Sequence, residues 1–353
     1  MRKLLVTGGA GFIGSNFIRY WIGRHPEDRL VNLDALTYAG NLENLHAIET
    51  APGYRFVHGD ITDRDRLANL FAEEDIDTVV NFAAETHVDR SILGPDAFIA
   101  TNVQGTFTLL EAARLAWKDA AAGQRFLHVS TDEVYGSLTA EEAAFTESHA
   151  FAPNSPYAAS KAAADHLVRA WHRTYGLSVL TTNCSNNYGP YQFPEKLIPL
   201  IILNALAEQP IPLYGDGGNV RDWLYVEDHC SGIEAVLDRG RPGEVYNIGA
   251  GNEWRNIDIV NLIVERLDEL RSGSSSRKRL VTPVSDRPGH DRRYAIDATK
   301  LREELGWSPQ HDFRAGMEHT IQWYLENQEW CRRVRSGEYQ HYYQHQYGTR
   351  TGS

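Results

Sequence analysis

The chain has 353 residues, with 35 Lys and Arg against 47 Asp and Glu, a formal net charge of −12. That length gives room for about two domains, or one large α/β unit with an appended lobe, and for a core that needs no disulfide or metal staple. The negative balance argues against a general nucleic-acid or anionic-membrane binder, although a few local arginines can still hold a small anionic ligand. Cys184, Cys230 and Cys331 are odd in number and widely spaced, with no CxxC or Cys/His ligand pattern. No metal is expected from them, and a reducing cytoplasm is. Residues 1–8 lack a signal peptide's apolar stretch, and no membrane span is expected because no run of about 18 apolar residues occurs.

In chain order, the predicted strands are 3–7, 29–33, 55–58, 78–81, 125–130 and 178–183. They are short, rich in Val, Leu and Phe, and bounded by turn residues. Helix-length segments at 16–24, 64–74, 102–120 and 156–175 fall between them. This alternation predicts an α/β fold, a Rossmann-type doubly wound parallel sheet with helices on both faces. Beyond about residue 184 the pattern loosens and reads as a smaller C-terminal substrate-binding lobe. Within it, 197–207 reads as a buried helix despite Pro199 and Asn204, and 271–278 as a mobile surface loop.

Gly8-Gly9-Ala10-Gly11-Phe12-Ile13-Gly14 follows the first strand and opens the first helix. Gly8, Gly11 and Gly14 are spaced as a sharp turn, a close approach to a pyrophosphate and a tight helix–strand contact require. The helix N-terminus then offers free N–H groups to phosphates. Asp34 ends the second strand, 20 residues after Gly14. A carboxylate there can accept from the ribose hydroxyls of adenosine and repels a 2′-phosphate, which favours NAD over NADP. Asp60 and Ile61 follow the third strand, where a loop can meet the adenine edge.

Tyr157-Ala158-Ala159-Ser160-Lys161 puts Tyr and Lys on one helix face, just after Ser155 and Pro156, which read as N-cap and first helical residue. The helix dipole and the Lys161 ammonium are expected to lower the Tyr157 pKa and make it a usable base. With these motifs the chain resembles the extended short-chain dehydrogenase/reductase family over nearly its whole length. In that family a Ser or Thr after the fifth-region strand completes a triad, and Thr131 matches it.

Asp132 and Glu133 come next. Two adjacent carboxyls can supply one acid and one base, which a dehydration needs and a 4-epimerisation does not. Thr131-Asp132-Glu133, the stretch 33–41, Ala84 to Ser91 and Asn186 to Leu197 together resemble the nucleotide-sugar 4,6-dehydratase branch of that family, with Thr86 where the branch commonly has Ser. The resemblance implies dTDP-glucose as substrate and a tightly held NAD. It implies that Tyr157 takes the O4 proton while C4 is oxidised and Thr131 holds O4. Glu133 then removes the C5 proton and Asp132 protonates the departing C6 hydroxyl, before C6 is reduced and C5 reprotonated.

The residues implied at the cofactor are Gly8, Gly11, Phe12, Ile13, Gly14, Asp34, Ala35, Leu36, Thr37, Asp60 and Ile61. Phe82, Ala83, Ala84, Glu85 and Thr86 pass beneath it, and Thr101, Tyr157, Lys161 and Asn187 meet its nicotinamide half. At the nucleotide sugar the resemblance implies Thr86, Thr131, Asn186, Lys196, Leu197, Asn256, Pro212, Leu213 and Tyr214, the last three as a flat support for the pyrimidine. Arg221 and the run His290, Asp291, Arg292, Arg293 and Tyr294 complete that set. A diphosphate wants cations, and Lys196, Arg221, Arg292 and Arg293 are the candidates. The expected domains are 1–183 for NAD and 184–353 mainly for the nucleotide sugar, with parts of 222–255 packing on the first. The helices 102–120 and 156–175, with Phe107, Leu110, Leu167, Val168 and Trp171, are expected to pair in a homodimer through a four-helix bundle. Two alternatives stand beside this reading: another nucleotide-sugar dehydratase, decarboxylase or epimerase of the same fold, and a non-catalytic NAD-binding regulator.

Overall fold

The computed structural model of the chain describes residues 1–118, 123–271 and 275–335. The end of the expected helix 102–120, the centre of the loop 271–278 and the last part of the second expected domain lie outside the described residues. The first strands are β1 (Lys3–Thr7), β2 (Arg29–Asp34), β3 (Tyr54–His58), β4 (Thr78–Asn81), β5 (Arg125–Thr131) and β6 (Val179–Cys184). There follow β7 (Asn186–Tyr188), β8 (Ile211–Tyr214), β9 (Val220–Tyr225), β10 (Val245–Ile248), β11 (Glu253–Arg255) and β12 (Val281–Val284).

The main sheet has seven strands in the order β3-β2-β1-β4-β5-β6-β10, parallel throughout. Its central strands are buried almost along their length, with apolar centres in β1 and β4, as a sheet covered on both faces demands. The winding direction reverses between β1 and β4, and this opens a crevice beyond their carboxyl ends. One face is covered by the helices Phe12–Arg24 and Val226–Arg239, through Phe17, Trp21, Ile233 and Val236. The other is covered by Arg64–Glu74, Thr106–Ala116 and Pro156–Tyr175, through Leu67, Leu70, Leu109, Leu110 and Val168.

Three elements differ from the sequence reading. The first helix starts at Phe12 rather than 16, because the glycine run is itself the helix entry. The segment expected to start at 102 begins as a π turn, Ile99–Gly105, and becomes α-helical at Thr106. The seventh strand, β10, comes from the part read as irregular; at four residues it carries little pattern of its own.

The second lobe combines the sheet β11-β9-β7 and the pair β12-β8 with the helices Leu197–Leu206, Asn256–Leu270 and Phe313–Glu326. Ile201, Ile202, Ile259, Ile263, Phe313 and Ile321 form its core. Pro199 falls in the first turn of its helix, where a missing N–H costs nothing. The last helix among the described residues, Gln328–Val334, reaches the segment after β2, where Trp330 Nε1 donates to Asn44 Oδ1 at 2.9 Å. Asn44 in turn donates to the Ala10 carbonyl at 3.0 Å and so steadies the glycine turn. No helix among the described residues is long and apolar enough to cross a membrane.

Candidate active site

The crevice at the β1–β4 switch holds a cavity whose floor is the glycine turn. Gly8 has φ +69°, and a Cβ on it would lie 2.7 Å from the Ala83 nitrogen. A Cβ on Gly14 would collide with the Gly8 carbonyl, whereas one on Gly11 would meet nothing closer than 3.3 Å. Two glycines thus serve the protein's own packing and the third leaves an open approach. Gly11 also caps the helix Phe12–Arg24 without a side-chain hydrogen bond, so the first N–H groups stay available to an anion. Asp34 accepts from the backbone N–H of Ala10 and of Leu36, each at 2.8 Å. Burial raises its pKa, and those two N–H groups oppose the rise.

Gly8, Gly11, Phe12, Ile13 and Gly14 line this cavity together with Asp34, Ala35, Thr37, Asp60 and Ile61. Phe82, Ala83, Ala84, Glu85, Thr86 and Thr101 continue the wall to Thr131, Asp132, Glu133, Tyr157, Lys161 and Asn187. Leu36 does not line it; with φ +52° it turns the chain and gives its N–H to Asp34. This cradle fits a dinucleotide: a bare glycine surface, uncapped helix N–H groups and a carboxylate at the end of β2.

The strand β5 ends at Thr131, which caps a 3₁₀ turn, Asp132–Tyr135. Thr131 Oγ1 accepts from the Glu133 N–H and donates to Asp132 Oδ1, both at 3.3 Å. Ser155 Oγ accepts from the Ala158 N–H at 3.1 Å, so Pro156 and Tyr157 open their helix as expected. Lys161, one turn on, is buried and donates to the Val129 carbonyl at 2.8 Å.

The expected lowering of the Tyr157 pKa is not found. The phenol is pushed well up, by burial first and then by Glu133 and Cys184, and its hydrogen bond with Thr131 only moderates this. Helix dipole and ammonium lose to desolvation and a nearby carboxylate. The two carboxyls sit in different fields. Asp132 is driven well above the carboxylate range by burial, Glu133 and Asp222, with Arg221 the main cation opposing. Glu133 is raised by burial too, but Arg287, Arg221 and Lys196 all pull it back. Both sites are shifted toward the acid, Asp132 more strongly than its neighbour, whose rise the three cations limit.

A second cavity continues from the first and shares Thr86, Glu133, Asn186, Asn187 and Lys196 with it. Leu197, Pro212, Leu213, Tyr214, Arg221, Asn256 and His290 line the rest, as expected. The buried oxygens Asn186 Oδ1 and Asn256 Oδ1 have no hydrogen-bond partner among the described residues, so they suit a polar ligand.

The run after His290 departs from expectation. Arg292 pairs outward with Asp216 at 2.9 Å, and Arg293 with Glu253 at 2.6 Å. Tyr294 and Asp291 lie behind Arg221 rather than in the cavity: the guanidinium sits 4.2 Å from the Tyr294 ring centre and donates to the Asp291 carbonyl at 2.9 Å. The inward cation is Arg287, which the sequence reading left out of the site. It lines the second cavity and pairs with Asp89 at 3.1 Å. Its signal was its place in the same polar cluster, but composition does not say which arginine faces in. Cys184 and the buried Glu195, held by Arg90 at 3.2 Å, are further cavity residues without a sequence motif of their own.

Comparison with known proteins places this geometry. A family model described as GDP-mannose 4,6 dehydratase matches residues 5–320. The chain is 57% identical over 345 residues to a dTDP-glucose 4,6-dehydratase of Xanthomonas campestris pv. campestris strain B100, covering 96% of this chain and 97% of that one. A dTDP-glucose 4,6-dehydratase from Streptomyces venezuelae, solved with NAD bound, matches at TM-score 0.86 and 51% identity, covering 94% of this chain and 98% of that one. A dTDP-glucose 4,6-dehydratase from Bacillus anthracis, in complex with NAD, matches at TM-score 0.86 and 48% identity, covering 95% of this chain and all of that one.

Proposed function

The chain belongs to the family described as GDP-mannose 4,6 dehydratase, and within it we propose that this protein dehydrates dTDP-glucose to dTDP-4-keto-6-deoxyglucose, serving deoxysugar biosynthesis. The observation that carries this is the adjacent pair Asp132, buried, and Glu133, half-buried, beside Thr131 and Tyr157, with Asp132 shifted toward the acid more strongly than Glu133. A hydride-transfer site without elimination has no use for that pair. NAD held over Gly8, Gly11, Gly14 and Asp34 would supply the hydride acceptor for C4 and the hydride donor for C6.

The chain's own residues do the rest. Thr131 and Tyr157 share a hydrogen bond and meet the sugar's O4, where Tyr157 takes the proton as its phenolate; burial opposes that form, so the positive charge that bound NAD would bring, beside the Lys161 ammonium, is what would favour it. Oxidation at C4 acidifies the C5 proton; Glu133, whose upward shift is limited by three cations, removes it and gives a proton back to C5 when C6 is reduced. Asp132, held protonated, gives its proton to the C6 hydroxyl, which leaves as water. Arg221, Arg287 and Lys196 bind the diphosphate, and Pro212 to Tyr214 support the base. Asp34 accepts from the adenosine ribose and disfavours NADP.

The division of labour follows the sequence reading: residues 1–183 bind NAD, and 184–353 mainly bind the nucleotide sugar. The packing of Val226–Arg239 and β10 on the main sheet supports the exception made for parts of 222–255. The functional unit is a homodimer through the helices Thr106–Ala116 and Pro156–Tyr175. In support, Leu110 and Val168 are buried in the core, while Phe107, Leu167 and Trp171 are only half-buried and Leu115 is 62% exposed. The three free, buried cysteines support a reducing cytoplasm.

Purified protein incubated with dTDP-glucose, dUDP-glucose and UDP-glucose separately, with the products weighed, tests the reading. A product of dTDP-glucose lighter by one water supports it. An unchanged mass, or loss of carbon dioxide from a uronic acid analogue instead, rejects it.

A further inference from the structure

A buried polar cluster lies behind the cavity, between β5, β6 and the helix Pro156–Tyr175, and no step above uses it. Its centre is Asp165, 5% exposed and one helical turn beyond Lys161, on the same helix face. Asp165 Oδ2 accepts from Ser130 Oγ at 2.9 Å and from Asn183 Nδ2 at 3.4 Å. Its Oδ1 faces His128 Nε2 at 3.4 Å. The same Asn183 amide donates to the Thr131 carbonyl at 3.0 Å. Four successive residues of β5 therefore hang on this helix. His128 and Ser130 reach Asp165 by their side chains, the Val129 carbonyl reaches Lys161, and the Thr131 carbonyl is joined through Asn183. Behind His128, Asn81 Nδ2 meets its Nδ1 at 3.1 Å and Asn81 Oδ1 accepts from Thr7 Oγ1 at 2.7 Å, which ties the cluster to β1 and β4.

A carboxylate this deep is costly unless a nearby cation compensates it. The cation here is Lys161, itself buried and, among the described residues, hydrogen-bonded to the neutral Val129 carbonyl. Burial pushes the Lys161 ammonium below its ordinary pKa, and the Asp165 charge is the main influence against this, ahead of Cys184. The other titratable groups facing the pair are neutral. His128 on β5 is held uncharged by burial and by Lys161. The Cys184 thiol on β6 is pushed up to about 12 by burial, and burial likewise keeps the Tyr135 phenol, on the turn after β5, protonated. On the cavity side, burial pushes the Asp132 and Tyr157 pKa values up as well.

We propose that Asp165 is a positioning residue for the oxidative half of the reaction, locking the strand that bears Thr131 to the helix that bears Tyr157 and Lys161 and keeping Lys161 an ammonium. This rests on the dehydratase reading above. Asp165 touches neither substrate nor cofactor; it acts through the triad.

The test uses Asp165→Asn, which keeps an acceptor oxygen and removes the charge, and Asp165→Glu, which restores the charge. Ser130→Ala breaks one positioning contact and leaves the charge. Lys161 is titrated by carbon NMR of labelled lysine in the protein as isolated, with its peak assigned by Lys161→Arg. In parallel, kcat and KM for dTDP-glucose are followed against pH. In Asp165→Asn, Lys161 is expected to titrate about one unit lower, with the alkaline limb of kcat moving down equally and KM within about twofold. Asp165→Glu recovers part of the shift, and Ser130→Ala lowers kcat without moving the limb. An unmoved Lys161 titration in Asp165→Asn overturns the proposal, as does an equal loss in the Asn and Glu variants with no shift in pH. If Asp165→Asn does not fold, an unchanged kcat in Ser130→Ala overturns the positioning role. The NMR arm needs no substrate, so an inactive wild-type protein would reject the dehydratase reading while Lys161 still judges the role of Asp165.

Discussion

Arg221→Ala removes a guanidinium that is 5% exposed and whose partners are neutral: the carbonyls of Val220 at 2.7 Å and Asp291 at 2.9 Å, and the Tyr294 ring. A surface residue tied to Asp222 or Glu227 would look different, so its charge is directed at something else in the cavity it lines. The diphosphate does not react, and contacts to it are similar in ground and transition states. Losing one charge-assisted contact costs ~1.5–3 kcal/mol of binding. That is a rise of roughly ten- to a hundred-fold in KM for dTDP-glucose, with kcat less affected. Arg221→Lys recovers only part, since an ammonium cannot reproduce a planar fork. A second effect follows from the same charge. Arg221 stands after Arg287 among the cations that pull Glu133 down, so its loss raises the Glu133 pKa and moves the acid limb of kcat to higher pH. Steady-state kinetics across pH on the Ala and Lys variants measures both. An unchanged KM in Arg221→Ala would remove Arg221 from the substrate site and refute the reasoning.

Asp132→Asn keeps the oxidation and loses the acid: reduced-cofactor absorbance should build up in a single turnover while product formation slows about 10²–10⁴-fold. Because the Asp132 pKa is raised in the folded state, the stability it contributes is present at low pH and lost as pH rises through the folded value. The neutral amide should therefore raise Tm at neutral pH, and a lowered Tm would count against a protonated Asp132. Asp34→Ala should loosen NAD and narrow the gap to NADP in a binding titration; equal use of both by the wild-type protein would sink that role. Light scattering at micromolar concentration should give a dimer, and a monomer would contradict the helix pairing.

The cofactor half was legible because its chemistry is local: Gly8, Gly11 and Gly14 answer to a turn and a helix start, and Asp34 to the end of one strand. Tyr157 and Lys161 were legible for the same reason, as neighbours on one helix. The substrate half was less so. Arg287, Arg292 and Arg293 lie within seven residues, and only tertiary pairing with Asp89, Asp216 and Glu253 decides which faces the cavity. The sign of the Tyr157 shift was missed because desolvation depends on everything packed around the phenol, whereas the sequence displays only the helix partners. The contacts of Asp165 come from two strands, and through His128 they extend to two more, so no local pattern reveals them.

The central claim is that one active site oxidises C4, eliminates water across C5 and C6, and reduces C6 within a single residence of the sugar. Deuterium placed at C4 of dTDP-glucose tests it most directly. The account predicts a 4-keto-6-deoxy product that carries the label at C6, read by NMR and mass. A dehydrated product with the label lost to solvent, or a sugar still labelled at C4, would contradict it.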